Sequence, residues 1–172
     1  MPCVDREFPK RKHPRLKSYD YSTAGAYFIT ICTHEKRCIL SRIVGRGLAP
    51  ADTERTTLLP YGRIAEEQLH AIEERYPFVS VDHFVIMPNH IHLILTITDT
   101  AGASPRPTIS DIICSYKSLV TRFCKKSGFF GKMFQTSFYE HIIRNREDYD
   151  NIARYIFENP TRWYYDDLYS EK

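Results

Sequence analysis

The stretch "VIMPNHIHLIL" spans residues 85–95 and carries two histidines, one residue apart, inside an apolar run. Successive side chains of a strand point to opposite faces, so His90 and His92 are predicted to share one face, opposite the apolar residues that alternate with them. Two neutral imidazoles held side by side can bind a metal ion. The spacing alone leaves a second interpretation open, in which both are half-exposed histidines that the strand tolerates.

A hairpin is predicted around the histidine pair. Pro88 and Asn89 are turn-forming residues, and they separate the apolar runs "VSVDHFVIM" (79–87) and "HIHLILTI" (90–97). Two short apolar runs joined by turn residues are typical of adjacent antiparallel strands. The histidines are therefore expected at the start of the second strand.

Two further segments have strand character. "AYFITICT" (26–33) is rich in β-branched and aromatic residues, which predicts a first strand. "MFQTSFYEHIIR" (133–144) is predicted to be part strand and part loop. The intervening segment 41–60 is expected to be a long loop, because it is rich in Gly, Pro and Thr.

Three segments predict helices, because apolar residues recur in them at spacings of three and four: 61–78, 108–128 and 145–160. Ser110 is predicted to cap the second helix. Pro160 is predicted to end the third, because the residue before a proline disfavours helical geometry. The apolar stripe of the second helix is predicted to consist of Ile109, Ile112, Ile113, Tyr116, Val120 and Phe123.

The order of these elements is strand, helix, hairpin, helix, short strand and helix. It predicts an α+β fold, a ferredoxin-like sandwich with one antiparallel sheet and helices packed on it. A chain of 172 residues is long enough for one domain with a substantial core. We therefore predict a single domain, 1–172, with a basic N-terminal arm at 1–20.

The composition favours a globular protein of the cytoplasm. No apolar run approaches the roughly 18 residues of a membrane helix, and the charged N-terminus lacks an apolar signal core. The five cysteines are an odd number without a CxxC pair, which indicates free thiols in a reducing compartment. Cys32, His34 and Cys38 offer a weaker zinc interpretation, because their spacing is unusual and no fourth ligand is evident.

Positive charge is concentrated in two clusters, although the net charge is only +3. The clusters include Arg15 and Lys17 in the N-terminal arm and Lys117, Arg122, Lys125 and Lys126 in the second helix. Such clusters favour an anionic partner, and an ordinary solvated surface is the alternative.

Two of the twelve tyrosines are distinguished by their helical position. Tyr116 lies on the apolar stripe of its helix, which predicts a core residue with its hydroxyl bonded at the edge. Tyr155 lies roughly a third of a turn from the centre of its stripe, so its hydroxyl can reach out of the core. Asn159 is four residues further on and shares that flank. A surface tyrosine beside an ordinary helix end is the alternative interpretation.

Several segments together resemble one family, the HUH single-tyrosine transposases. "MPNHIHLIL" resembles their His-hydrophobic-His signature. "FQTSFYEHIIRNREDYDNIARYIFENPTRW" (134–163) resembles the C-terminal signature of the REP-associated tyrosine transposase branch, in which a Tyr-Ile-x-x-Asn-Pro run comes last. "RLKSYDYSTAGAYFITICT" (15–33) resembles the first strand and its approach. The resemblance covers roughly residues 15–163.

The resemblance implies a site and a chemistry. It implies that His90, His92 and Asn159 bind a divalent metal, Mg²⁺ or Mn²⁺, and that Tyr155 is the nucleophile. Insertion-sequence relatives carry Gln where this chain has Asn159, so the amide oxygen comes from a side chain one methylene shorter. The implied reaction is cleavage of single-stranded hairpin DNA, such as repetitive extragenic palindromes, through a 5′-phosphotyrosine and a free 3′ hydroxyl. The two basic clusters become the expected contacts to DNA phosphates.

Other functions on the same fold remain open. The chain is alternatively a catalytically idle hairpin-binding protein, or an enzyme that nicks replication or conjugation origins. Either a monomer or a homodimer fits the sequence.

Overall fold

The computed structural model describes residues 23–45, 55–98 and 107–171. The strands in this part are β1 (Gly25–Cys32), β2 (Ser41–Val44), β3 (Arg55–Leu58), β4 (Val79–Ile86), β5 (His90–Ile97) and β6 (Tyr139–Ile143). The helices are α1 (Pro60–Arg75), α2 (Ile109–Lys126) and α3 (Arg146–Glu158), with 3-10 helices at His34–Lys36 and Asn159–Tyr165. None of the described helices is both long and apolar enough to cross a membrane.

The main sheet has the strand order β4-β5-β1-β6, and every neighbouring pair is antiparallel. The first strand is central and the last lies beside it, which is the arrangement of a ferredoxin-like sandwich. Helices α1 and α2 pack on one face of this sheet, and α3 packs on the other. The predicted α+β fold class is confirmed.

Strand β5 is buried on both faces and separates two apolar clusters. Ile91, Leu93 and Leu95 are fully buried with residues of α1 and α2. Ile94 points to the opposite face and packs beneath α3 with Phe28. Each buried aliphatic side chain contributes about 1.5–3 kcal/mol to folding. This alternation determines the register of the strand, because a slip by one residue would move the aliphatic set to the wrong face.

The structure confirms most of the apolar stripe predicted for α2 and corrects two details, one buried position and the N-terminal cap. Phe123 is half-exposed, with Arg122 and Lys126 over its ring, and Cys124 takes the buried position instead. The cap is Thr108 and not Ser110: the Thr108 hydroxyl accepts from the Asp111 N–H, and the Asp111 carboxylate accepts from the Thr108 N–H. This reciprocal pair satisfies two donors at the helix start, which Ser110 cannot do from within the first turn.

Two boundaries also differ from the sequence prediction. The predicted loop 41–60 contains the strands β2 and β3, which pair as a small separate sheet. Each has only four residues, too few for alternation to stand out. The second difference is at the end of α3, where the helical segment does not stop at Pro160. The α-helix ends at Glu158 and a 3-10 helix continues to Tyr165.

Helix α1 makes a close backbone contact at Gly62. The Leu40 carbonyl oxygen accepts a hydrogen bond from the N–H of Leu59 at 2.9 Å, next to the start of the helix. A Cβ atom at Gly62 would lie 1.9 Å from that oxygen. Only glycine therefore allows the segment at Leu40 to pack against the first turn of α1.

Gly62→Ala is predicted to destabilise the fold by about 1–3 kcal/mol, because the new methyl group must displace backbone atoms. The higher helix propensity of alanine offsets less than about 1 kcal/mol of this loss. Urea denaturation measures the difference. Glu67→Ala, at an exposed position of the same helix, is the control and should change stability by no more than about 0.5 kcal/mol. Equal stability of Gly62→Ala and the unmodified protein would contradict the close contact.

Candidate functional site

The two histidines of β5 lie side by side beneath the edge of α3. Their ring centroids are 4.4 Å apart, and their exposed fractions are 0% for His90 and 3% for His92. The predicted shared face is confirmed, whereas the interpretation as half-exposed residues is wrong. Burial lowers the pKa of both imidazoles, and each is therefore neutral near pH 7.

His92 is surrounded by groups from two other elements. Its Nδ1 lies 2.8 Å from the Thr30 hydroxyl of β1, and its Nε2 lies 3.3 Å from the Tyr155 hydroxyl of α3. Phe28 packs against the ring, with centroids 5.2 Å apart. Thr30 is the direct partner of His92 in the β1–β5 register, so the strand pairing itself sets the first of these contacts.

Tyr155 lies on the flank of α3, as its helical position predicts. Ile152 and Ile156 of the same helix are buried in the apolar cluster, and Tyr155 packs at the border of that cluster. Burial raises the pKa of the Tyr155 phenol, and the negative charge of Asp166 raises it further. The nearby Asn159 amide acts in the opposite direction. The phenol is therefore protonated at neutral pH.

Tyr116 occupies a different environment. It is fully buried, and its hydroxyl donates to the Ala65 carbonyl oxygen of α1 at 3.1 Å. Burial raises its pKa well above the usual value. The prediction of a core tyrosine is confirmed, and this hydroxyl binds two helices together on the face of the sheet opposite to the histidines.

Asn159 begins the 3-10 helix that follows α3 and is 1% exposed. Its Nδ2 donates to Oδ2 of Asp166 at 3.0 Å. Its Oδ1 is buried and has no hydrogen-bond partner among the described residues, and the same is true of Nε2 of His90. Burial lowers the pKa of His90, and the Asn159 side chain acts in the opposite direction.

Asp166 completes the cluster and was not predicted from the sequence. A carboxylate oxygen of Asp166 and one ring nitrogen each of His90 and His92 lie within 4.8 Å of one another. Oδ1 of the Asp166 carboxylate accepts a hydrogen bond from the Leu168 N–H at 2.7 Å. In the sequence Asp166 belongs to an acidic tail, and only the 3-10 helix brings it back to the histidines.

This donor set fits a divalent cation. Two buried polar atoms beside the Asp166 carboxylate, Nε2 of His90 and Oδ1 of Asn159, have no partner within residues 23–45, 55–98 and 107–171. Unpaired buried polar groups are costly unless something binds them. Imidazole nitrogen together with carboxylate and amide oxygen suits a hard or intermediate ion such as Mn²⁺. The cluster includes both predicted histidines, and it adds an anionic donor, Asp166, that was not predicted from the sequence.

The alternative zinc group does not form. Among the described residues, His90, His92 and Asp166 are the one set of three or more His, Cys, Asp or Glu side chains close enough to share an ion. Cys32 and Cys38 are free thiols, and the Cys38 thiol donates to the Ser170 carbonyl oxygen instead.

A basic groove of about 930 Å³ runs between α2 and the segment 131–136. Of the predicted cations, Lys117, Arg122 and Lys125 line it, together with Lys132, which was not predicted from the sequence. Lys126 is outside the lining and lies over the ring of Phe123. The predicted contacts Arg15 and Lys17 lie outside the described residues.

Lys117 has a structural role within this groove. Its ammonium donates to the carbonyl oxygens of Gln135 and Thr136, at 2.6 and 2.9 Å. These bonds hold the segment 131–136 against α2. Lys125 is exposed at the groove. Burial lowers the pKa of the Lys117 ammonium.

Comparisons with known proteins give one relative that covers nearly the whole chain. An uncharacterised protein of Haemophilus influenzae is 33% identical over 175 residues, which cover 92% of this chain and 93% of that protein. The REP-associated tyrosine transposase of Escherichia coli is 28% identical over 86 residues, which cover 50% of this chain and 46% of that protein. No protein-family model matches the chain.

A solved structure has a similar fold. It is a REP-associated tyrosine transposase bound to a REP hairpin, with a TM-score of 0.59 and 20% identity. The superposition covers 86% of this chain and 73% of that chain.

Asp166→Asn is predicted to weaken Mn²⁺ binding by about tenfold or more, because it removes the one anionic ligand from the cluster while keeping its shape. Isothermal titration of the metal-free protein with Mn²⁺ measures the change. Asp167→Asn is the matched control, since it removes the same charge from the exposed neighbouring residue. Equal affinities of the two variants would exclude Asp166 as a ligand.

Proposed function

The chain belongs to one family with the uncharacterised Haemophilus influenzae protein and is a relative of the REP-associated tyrosine transposases, and we propose that it cleaves and rejoins single-stranded hairpin DNA. The likeness in sequence and fold supports a transposase-family function. The finer assignment, including the substrate and the residues that act on it, is our proposal.

The observation that carries this proposal is the position of the Tyr155 hydroxyl. It lies 3.3 Å from Nε2 of His92, at the edge of the buried cluster that contains His90 and Asp166. A protonated phenol held beside a cluster of metal-binding side chains is suited to attack a phosphodiester bound there. The stiff aromatic ring and its contacts with Phe28 and His92 hold the oxygen at a defined place.

The proposed reaction is a transesterification. The Tyr155 oxygen attacks phosphorus in line, its bond to phosphorus forms, and the bond from phosphorus to the 3′ oxygen breaks. The phenol loses its proton and the departing 3′ oxygen gains one, so the products are a 5′-phosphotyrosine and a free 3′ hydroxyl. The link between Tyr155 and the DNA is itself a phosphodiester and retains the energy of the broken bond. Rejoining therefore needs no nucleotide cofactor.

A divalent ion, Mg²⁺ or Mn²⁺, would be held by His90, His92, Asp166 and the Oδ1 of Asn159. When bound, it would polarise the scissile phosphate and neutralise its developing charge. The chain's own residues orient this set, since Thr30 and Asn89 contact the ring nitrogens of the histidines and Asn159 contacts Asp166.

Hairpin DNA is the proposed substrate for two reasons. The similar solved structure is described as bound to a REP hairpin. This chain also offers the basic groove on α2, where Arg122, Lys125 and Lys132 can contact backbone phosphates. The Tyr155 hydroxyl reaches His92 of its own chain, which supports activity as a monomer. Sedimentation would detect a homodimer.

A catalytically idle hairpin-binding protein is the alternative function. It would need the groove but not the Tyr155 hydroxyl. The two functions are therefore separated by whether a covalent protein–DNA product forms.

Tyr155→Phe is predicted to abolish that product, because it removes the attacking oxygen and keeps the ring. Folding should weaken by at most about 1 kcal/mol, the usual contribution of one hydrogen bond. Incubation with labelled single-stranded hairpin DNA and Mn²⁺, followed by a denaturing gel, detects the adduct as a shifted protein band. Peptide mapping then identifies the linked residue.

Tyr116→Phe is the matched control, since it deletes the same atom from a helix tyrosine on the other face of the sheet. It should lose about 1 kcal/mol of stability and still form the adduct. An adduct that maps to Tyr116, or one that survives in Tyr155→Phe, would refute the assignment. No adduct from the unmodified protein would favour the idle binding protein.

Lys125→Ala is predicted to reduce the slope of log affinity for hairpin DNA against log salt concentration by about 0.7–0.9, because one phosphate contact is lost. Lys126→Ala removes the same charge one residue away, outside the groove lining, and should change the slope less. Fluorescence anisotropy at several salt concentrations gives both slopes. Equal changes in the two variants would place the DNA elsewhere on the protein.

A further inference from the structure

Asn89, in the turn between β4 and β5, makes contacts that go beyond those of a turn residue. It is 1% exposed, and its side chain lies between His90 and the segment that carries Asp166. Its Oδ1 is 2.8 Å from Nδ1 of His90. Its Nδ2 donates to the carbonyl oxygens of Leu168 at 2.8 Å and Lys36 at 3.3 Å.

These contacts determine which way the amide points. A carbonyl oxygen only accepts hydrogen bonds, so the two carbonyl groups require the amide NH₂ on their side. The reverse orientation would place the amide oxygen against both carbonyls and leave buried polar groups unpaired, at a cost of about 1–3 kcal/mol each. The backbone of Asn89 is held as well, since its carbonyl oxygen accepts from the N–H and the hydroxyl of Thr33.

The orientation of the amide in turn determines the protonation of the ring. Because Oδ1 of Asn89 can only accept, Nδ1 of His90 must donate and therefore carries the hydrogen. A neutral imidazole has one N–H, so Nε2 is left with its lone pair. Nε2 is also buried and has no hydrogen-bond partner in the part of the chain that the structure describes.

We infer that Asn89 is a positioning residue that holds His90 in the Nδ1–H tautomer, so that Nε2 presents its lone pair to a divalent cation. Histidines that bind metal commonly donate their other ring N–H to a neighbouring acceptor, and this contact sets both the tautomer and the orientation of the ring. The inference concerns the ligand site of the proposed function and rests on it for the identity of the bound species.

His92 differs from His90 in this respect. Its ring nitrogens contact the hydroxyls of Thr30 and Tyr155, and each hydroxyl can either donate or accept. The surroundings of His92 therefore permit both tautomers. The amide of Asn89 is the group that removes this freedom at His90.

Asn89 also connects the ring to the candidate anionic ligand. The residue whose carbonyl accepts from Asn89 is Leu168, and the N–H of Leu168 donates to Oδ1 of Asp166. Three hydrogen bonds, passing through Asn89 and Leu168, thus connect His90 and Asp166, the two candidate ligands from distant parts of the chain. A purely structural role for Asn89, as an anchor of this segment, is the competing explanation that the test must separate.

The test compares Asn89→Ala with Asn89→Asp. Both variants lose the donations to Leu168 and Lys36, but aspartate keeps an acceptor beside Nδ1 of His90. Long-range ¹H–¹⁵N spectra of metal-free protein labelled with ¹⁵N-histidine, recorded at pH 8, show which ring nitrogen carries the hydrogen. His90→Gln assigns the signal.

We expect the Nδ1–H tautomer of His90 in the unmodified protein and in Asn89→Asp. In Asn89→Ala the ring should carry its hydrogen wholly or partly on Nε2, because the acceptor beside Nδ1 is gone. Mn²⁺ affinity should fall about 10- to 100-fold in Asn89→Ala and stay at or above that of the unmodified protein in Asn89→Asp.

Two outcomes would overturn the inference. One is an Nε2–H tautomer in the unmodified protein, a measurement that decides the matter even if neither variant folds. The other is identical spectra for the two variants, which would assign Asn89 to anchoring alone. Because the spectra need neither metal nor DNA, a failure to form the covalent adduct would count against the proposed function and leave the tautomer result intact.

Discussion

The structure depends on keeping two uncharged imidazoles in the interior at one end of β5. An imidazole removed from water needs a partner for its N–H, since an unpaired buried donor costs free energy. No single element supplies these partners. His92 takes its contacts from β1 and α3, and His90 takes one from the preceding turn. The sheet, the turn before β5 and the helix over the sheet must therefore all be in place before the histidine pair is stable.

The parts of this arrangement that follow from local periodicity could be predicted from the sequence. Alternation along β5 separates the histidine face from the aliphatic face. The rotation of about 100° per helical residue separates Tyr155 from Tyr116. Both deductions use residues that are close in sequence, so that the geometry of one element is sufficient.

The remaining parts depend on contacts between distant segments. In the sequence, Asp166 is one of several acidic residues near the end of the chain. It approaches the histidines because the 3-10 helix after α3 turns the chain back. Lys132 lies outside any basic cluster of the sequence and reaches the groove because its segment is held against α2. The strands β2 and β3 stabilise each other by pairing. Each has only four residues, so the sequence of either strand alone does not indicate that pairing.

The strand order has a consequence for the synthesis of the protein. The histidine pair is made before the groups that cover it, since Tyr155 follows His92 by 63 residues and β6, which pairs with the second edge of β1, lies between them. A growing chain that has left the ribosome only as far as the end of α2 therefore has an unpaired edge at β1 and an uncovered pair of imidazoles. Assembly of the site waits for the arrival of α3 and Asp166. Under the proposed function, unfinished chains would lack the means to cut DNA, and the capacity would arise only with the folded product.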